Sequence, residues 1–328
     1  MHSLTPLHTF GLSARSKKLI SVDNDFSILK SIDAPLWILG EGSNCVFLED
    51  FDGTVIKVDS KGKTIKEFSD YFQLTVNSGE NWHQLVCFCM QNGIFGLENL
   101  ALIPGSVGAA PIQNIGAYGV ELNQFIKQVV CIDIDSGEQQ VLANEECKFG
   151  YRDSIFKRQL AGKVIITQVV LHIPKRWQAC NHYGELAKLK QPSPEQIFAQ
   201  VVAIRQAKLP DPKDIGNAGS FFKNPLVSNK HFASLQCDWP DLPCYSVDHN
   251  SVKVPAAWLI DHLGLKGKQI GGIQCHPSQP LVLTNNGTGS GAELLEMARH
   301  IQAKVESTFS IHLENEVNLI GNKGLVKL

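Results

Sequence analysis

Five short segments carry residue types and spacings that could do chemistry. Gly40-Glu41-Gly42-Ser43-Asn44 follows a β-rich run; its glycines let backbone N–H groups converge on an anion, and Ser43 and Asn44 add donors. The same pentapeptide also reads as an ordinary strand-ending turn. Cys45 stands where a G-x-G-x-x-G fingerprint needs its third glycine, so a Rossmann site is not supported. The second segment, Pro104-Gly105-Ser106-Val107-Gly108-Ala109, continues through Gln113-Asn114 to Gly116-Ala117-Tyr118-Gly119. Its small side chains would let a flat or elongated ligand lie on the backbone. Two such segments suit a dinucleotide with a pyrophosphate; a loop packed on itself is the alternative. In the third, Gly150-Tyr151-Arg152-Asp153-Ser154, an arginine in a turn could fork onto a carboxylate or phosphate. It could equally pair with Asp153 at the surface, and both readings stand. The fourth sets Ser220 between Gly219 and Phe221-Phe222, a dry setting for a proton-donating hydroxyl. No G-x-S-x-G elbow surrounds it, so a hydrolase nucleophile is not indicated, and a turn hydroxyl bonded to backbone is the plainer alternative. The fifth is Glu316 in Leu313-Glu314-Asn315-Glu316-Val317, by default a solvent-facing strand position.

The elements that must hold these segments are partly visible. Leu36–Leu39, Thr54–Val58, Phe72–Val76, Phe125–Asp133 and Val164–Ile173 read as strands. Asn81 can cap a helix ending before Gly93, with Trp82, Leu85, Val86, Cys89 and Met90 on one face. Ser193 and Gln196 predict a capping box with Pro194 at the first helical position, and that helix must stop before Pro210. Lys208 ends it, one turn after Arg205, so both cations point the same way. A helix over Pro255–Leu263, a strand over Leu281–Thr284, a helix capped by Ser290 with Glu293, and a strand over Ile311–Leu319 follow. Gly96–Gly119 fits neither period and carries one charge, Glu98, which points to an ordered loop packed against a ligand rather than disorder.

Composition narrows the partners. The chain has 328 residues with 30 basic and 32 acidic side chains, a formal charge of −2, so affinity for nucleic acid through a basic face is excluded. No apolar run approaches the roughly 18 residues of a membrane span. The first ten residues lack the basic and apolar regions of a secretory signal. The nine cysteines are scattered without a C-x-x-C pair, which fits buried thiols in a reducing, cytoplasmic compartment and no metal site.

Taken in order, Gly-x-Gly-Ser-Asn, Pro-Gly-Ser-x-Gly-Ala, Gln-Asn-Ile-Gly-Ala-Tyr-Gly, Tyr-Arg-Asp-Ser and Gly-Ser-Phe-Phe-Lys-Asn-Pro resemble the UDP-N-acetylenolpyruvoylglucosamine reductase (MurB) family, of the vanillyl-alcohol-oxidase type of FAD fold. The resemblance runs from Thr9-Phe10-Gly11 to Glu316-Val317. Tyr183-Gly184-Glu185-Leu186 and Lys208-Leu209-Pro210-Asp211-Pro212 resemble the class with an extra tyrosine-bearing loop.

It implies an α+β chain with a two-subdomain FAD-binding region over residues 1–207, the subdomains meeting near 60–70. A substrate-binding domain over 208–318 and a short tail over 319–328 follow. The resemblance further implies non-covalent FAD near Gly40, Gly42, Ser43 and Asn44, and near Pro104, Gly105, Ser106, Gly108, Ala109, Gln113, Asn114, Gly116, Ala117, Tyr118 and Gly119. NADPH is the implied hydride donor. The implied catalytic residues are Arg152, stabilising a carboxylate, Ser220, giving a proton, and Glu316, polarising an enol ether. Tyr183, Lys208 and Asn224 would hold the uridine diphosphate of a small nucleotide-sugar substrate, with Lys266 and Gln279 as weaker matches. Asn315 stands where a proline is common, which touches the bend before Glu316. The expected protein is a cytoplasmic monomer. An FAD-dependent oxidase of the same fold and an inactive nucleotide-binding module are the rival readings.

Overall fold

The computed structural model of the chain describes residues 1–32 and 35–328. Its N-terminal part is two sheets laid against each other. In the first, Arg15–Val22 and Leu36–Leu39 flank Phe51–Val58 in parallel, and His2–Ser3 adds an antiparallel edge. The second is antiparallel, in the order Gln139–Ala143, Ile126–Asp133, Val164–Pro174, Tyr71–Asn77, Lys63–Glu67. Val164–Pro174 is apolar on both faces because it is covered on both. Ile166, Val169, Leu171 and Ile173 enter the main core, while Ile165 packs the other way, with Val22, Ile56 and Val58. Helix α1 (Trp82–Gln91) covers the main core with Trp82, Leu85, Val86 and Cys89, and the Asn81 carboxamide accepts from the Gln84 N–H at 2.8 Å.

Helix α2 (Pro194–Lys208) has the reciprocal capping box its sequence predicts and buries Ile197, Val201 and Ile204 in the same core. Beyond it, Gly216–Ser220, Val282–Asn285, Ile273–Cys275 and Gln269–Ile270 form an antiparallel sheet. A small sheet of Leu226–Ser228, Ser251–Lys253 and Tyr245–Ser246 stands beside it, with α3 (Asn229–Asp238) and α4 (Ala256–His262). Helix α5 (Gly291–Phe309) starts in a second capping box, Ser290 with Glu293. It lays Leu294, Met297, Ala298, Ile301, Val305 and Phe309 into a core shared with Phe10, Leu12 and Val46 from the other end of the chain. Each such side chain contributes about 1.5–3 kcal/mol of burial, so the N-terminal segment is bound firmly to the C-terminal half.

Two expectations are corrected. The strand predicted over Ile311–Leu319 is only Asn318–Gly321. The preceding residues alternate in burial because Ile311, Leu313 and Val317 pack under α5, without a sheet ladder to pair with. Nor are residues 319–328 a tail: Asn318–Gly321 and Gly324–Val326 form a hairpin, and Asn318–Ile320 pair in parallel with Cys45–Phe47, directly after the first glycine turn. The chain's end therefore buttresses its beginning.

Candidate active site

Arg152 sits in a tight turn closed by the Gly150 N–H on the Asp153 carbonyl (3.0 Å), with left-handed backbone at φ 52°. Such a conformation in a residue with a Cβ is strained by about 1–2 kcal/mol and persists where its surroundings hold it. Here Lys157 Nζ donates to the Arg152 carbonyl at 3.3 Å. The guanidinium turns inward, with Nε on Glu316 Oε1 at 3.0 Å and Nη2 on the Gly116 carbonyl at 2.9 Å. Asp153 pairs instead with Arg158 at 3.3 Å. The surface-pair reading of Arg152 is thereby set aside.

Glu316 is not on a strand facing solvent. Its side chain is 14% exposed, and it belongs to a short run in which the Glu316 N–H donates to the Phe221 carbonyl (2.8 Å) and the Lys223 N–H to the Glu314 carbonyl (2.9 Å). That run places Glu316 opposite the residue following Ser220. Asn315, standing where a proline was expected, closes the bend through its carboxamide on the Val317 carbonyl at 2.7 Å. Ser220 ends the strand Gly216–Ser220, half-buried, and among the described residues its hydroxyl has no hydrogen-bond partner. The turn-hydroxyl reading is not what the structure has. The guanidinium and the carboxylate pair across distant stretches of chain, and the backbone pairing of Glu316 with Phe221 sets the Ser220 strand end next to that run.

The two glycine-rich segments converge. A Cβ on Gly40 would lie 2.4 Å from Ser106 Oγ, and one on Gly105 would lie 2.9 Å from Ser43 Oγ. Asn44 donates to Gln113 Oε1 at 3.1 Å and to the Glu316 carbonyl at 3.3 Å, tying this wall to the run that carries Glu316. Glu41, Gly42, Ser43, Asn44, Gly105 and Ser106 offer backbone N–H groups with no acceptor among the described residues. Such a nest of unengaged amides fits the pyrophosphate of a dinucleotide such as FAD. Other residues of the loop shape the wall instead. The Gly108 N–H is taken by the Ser78 carbonyl at 2.8 Å and that of Ala109 by the Ser106 carbonyl at 3.1 Å. Asn114 is fully buried and occupied with Glu121, Gly150 and Asn123. Pro104 lies exposed at the entry to the loop, while Gly116, Ala117, Tyr118 and Gly119 form its far end, a two-residue hairpin with Val120 and Glu121. A cleft of about 600 Å³ reaches this wall at Glu41 and is lined by His8, Lys213 and Asn286, but Arg152, Ser220 and Glu316 do not line it.

Tyr183 is 36% exposed, meets Tyr118 edge-on at 6.5 Å and stacks on Tyr245 at 5.7 Å. Desolvation and the neighbouring phenols push its pKa to about 12. Lys208 is paired with Glu185 at 2.6 Å, two residues from Tyr183. Asn224 accepts from the Ala256 N–H at the start of α4 and faces the Tyr151 phenol. Lys266 pairs with Asp261 at 2.7 Å, and Gln279 lies in the turn before Val282–Asn285. Neither bonds to the Arg152–Glu316 cluster. Sequence reasoning missed Lys253 and Tyr245. Lys253 Nζ stands 4.5 Å over the Tyr151 ring and 6.0 Å from that of Tyr245, and burial followed by the Arg152 charge lowers its pKa. No local motif marks either residue; only the small sheet brings them beside Tyr183 and Tyr151.

Comparison with known proteins agrees with this geometry. A family model described as an FAD binding domain matches residues 26–143, and one described as the C-terminal domain of UDP-N-acetylenolpyruvoylglucosamine reductase matches residues 211–320. The UDP-N-acetylenolpyruvoylglucosamine reductase of Pseudoalteromonas atlantica is 50% identical, over 100% of this chain and 96% of its own. That of Escherichia coli K12 is 45% identical over 99% of this chain and 97% of its own. The crystal structure of the Thermus caldophilus enzyme superposes with a TM-score of 0.66 at 25% identity, covering 96% of each chain. This chain belongs to the UDP-N-acetylenolpyruvoylglucosamine reductase family, with its α+β FAD-binding fold.

Proposed function

We propose that the chain reduces UDP-N-acetylglucosamine enolpyruvate to UDP-N-acetylmuramate with NADPH and non-covalent FAD, a step in peptidoglycan precursor synthesis. The observation that supports this reading is the Arg152–Glu316 pair, whose Glu316 bonds through its backbone to the residue after the unengaged Ser220 and whose carbonyl is held by Asn44 of the free-amide nest. When bound, FAD would supply the redox chemistry that links NADPH to the enolpyruvyl β-carbon. The amides of Glu41, Gly42, Ser43, Asn44, Gly105 and Ser106 would hold its pyrophosphate.

The chain's own residues do the rest. Hydride addition leaves the electron pair of the C=C bond on the α-carbon, conjugated to the carboxylate. Arg152, fixed by Glu316 and the Gly116 carbonyl, meets that growing charge with no reorganisation. Ser220 gives its proton to the α-carbon. A hydroxyl is a weak acid, so it serves only where a strongly basic carbanion is held close to it away from water. Glu316 polarises the enol ether and keeps the Arg152 fork aimed. Tyr183, Lys208 and Asn224 hold the uridine diphosphate, with Lys266 and Gln279 at its periphery and Lys253 and Tyr245 added on geometry. Lys208 must share or exchange its Glu185 partner when a phosphate arrives.

We assign residues 1–207 to binding FAD and 208–318 to the substrate, in a cytoplasmic monomer. Among the described residues no helix is long and apolar enough to cross a membrane. The test is direct: the purified protein should be yellow, bleach with NADPH, and regain its colour on adding UDP-N-acetylglucosamine enolpyruvate without oxygen. A colourless protein that cannot be reconstituted with FAD would overturn the proposal.

A further inference from the structure

Six buried polar side-chain atoms among the described residues lack a partner, and one of them, Arg205 Nε, belongs to a permanently charged group. The rest of that guanidinium also makes no hydrogen bond or ion pair with a described residue. A cation taken out of water without a counter-charge is costly, and proteins retain one where an anion completes it. Burial works most strongly against its protonated form, the Tyr118 phenol offsets part of that, and the like charge of Arg152 adds to the cost. Its surroundings say which anion. Arg205 lies one turn before Lys208 on α2, so the two cations share a face. Helix α2 packs on the turn at Glu98–Leu100, whose Asn99 carboxamide holds the Tyr118 and Cys180 carbonyls at 3.0 and 2.7 Å. It also packs on Gly184–Lys188, directly after Tyr183.

We propose that Arg205, half-buried with its Nε fully so, is the counter-charge to a phosphoryl group of a nucleotide bound between Tyr118, Tyr183 and Lys208. The assignment rests on the proposed function and deepens it, since nothing yet gives Arg205 a role. The UDP moiety of the substrate is the nucleotide that brings phosphoryl groups to this region, since the FAD pyrophosphate is assigned to the amide nest of Glu41, Gly42, Ser43, Asn44, Gly105 and Ser106. The shared chemistry is a phosphate oxygen accepting from a guanidinium, worth more than a neutral hydrogen bond.

The experiment uses flavin-loaded protein in three forms: wild type, Arg205→Met and Arg205→Lys. Each is titrated with UDP and with uridine, following the perturbation of the flavin spectrum, and its FAD content and rate of FAD loss are measured. Arg205→Met is expected to bind UDP roughly 10- to 100-fold more weakly while uridine binds as before. Arg205→Lys, which keeps the charge but not the fork, falls between. UDP affinity unchanged in protein reloaded with FAD overturns the proposal, whether or not FAD is lost faster, as does an equal loss for UDP and uridine. Should Arg205→Met fail to fold, the Lys variant carries the same comparison. A wild-type protein that binds no UDP and reduces no substrate would refute the function itself, an outcome separate from any behaviour of Arg205.

Discussion

Replacing Gly42 by alanine tests the cofactor wall at its tightest point. Gly42 has φ +67°, and a Cβ there would lie 2.0 Å from the Leu7 carbonyl oxygen and 2.6 Å from His8 Cα. Both atoms are main chain, and the Thr9 N–H on the Gly42 carbonyl at 3.0 Å binds the two segments together, so neither can step aside alone. Left-handed alanine costs about 1–2 kcal/mol and forced overpacking about 1–3 kcal/mol, together roughly 2–5 kcal/mol. That is a large share of a typical folding free energy of about 5–15 kcal/mol. If the turn moves to relieve it, the amides of Glu41 to Asn44 lose their convergence and FAD leaves. Gly93→Ala is the control, because Gly93 has φ +69° but nothing within 4 Å of its Cβ position. It should lose only about 1–2 kcal/mol and keep its flavin. The assay is the ratio of flavin to protein absorbance after purification, with melting temperature in the presence and absence of added FAD. Gly42→Ala protein that melts like wild type and carries full FAD would refute the reasoning.

Two further outcomes follow from the same geometry. Glu316→Gln keeps an acceptor for Arg152 Nε but removes the charge, so reoxidation of reduced enzyme by substrate should slow by about 10²- to 10⁴-fold. Bleaching by NADPH should stay within a few-fold, both steps being read by stopped-flow absorbance. Lys253 has its pKa lowered by burial and by Arg152, so as pH rises it loses its proton before an ordinary lysine does, and with it goes affinity for an anion. The substrate KM should therefore begin to rise on the alkaline side below the usual lysine range, and Lys253→Arg should flatten that rise in a KM-against-pH profile while leaving the kcat profile in place.

Local signals in the sequence translated well into structure. Both capping boxes, Ser193 with Gln196 and Ser290 with Glu293, form as read because each closes within four residues. The loop Gly96–Gly119 is ordered, and the motif order named the family from end to end. Signals whose meaning depends on distant chain translated less well. Alternation over Ile311–Leu319 marks burial under α5 without saying whether a neighbouring strand exists, so a strand was expected where only Asn318–Gly321 pairs. Arg152 could not be told from a surface residue, because its true partners, Glu316 and Gly116, lie 164 and 36 positions away. Lys253 and Tyr245 carry no motif at all. Their place beside Tyr183 comes from a three-stranded sheet whose members are two or three residues long, too short for a period to register.

The central claim is that Arg152, Ser220 and Glu316 act on the substrate's carbanion rather than on the delivery of hydride from NADPH. Ser220→Ala, followed through both half-reactions under anaerobic conditions, tests it most directly. The account predicts that NADPH bleaches the flavin of this variant at close to the wild-type rate, and that adding UDP-N-acetylglucosamine enolpyruvate no longer restores the colour. Equal impairment of both half-reactions would make Ser220 a structural residue and contradict the account.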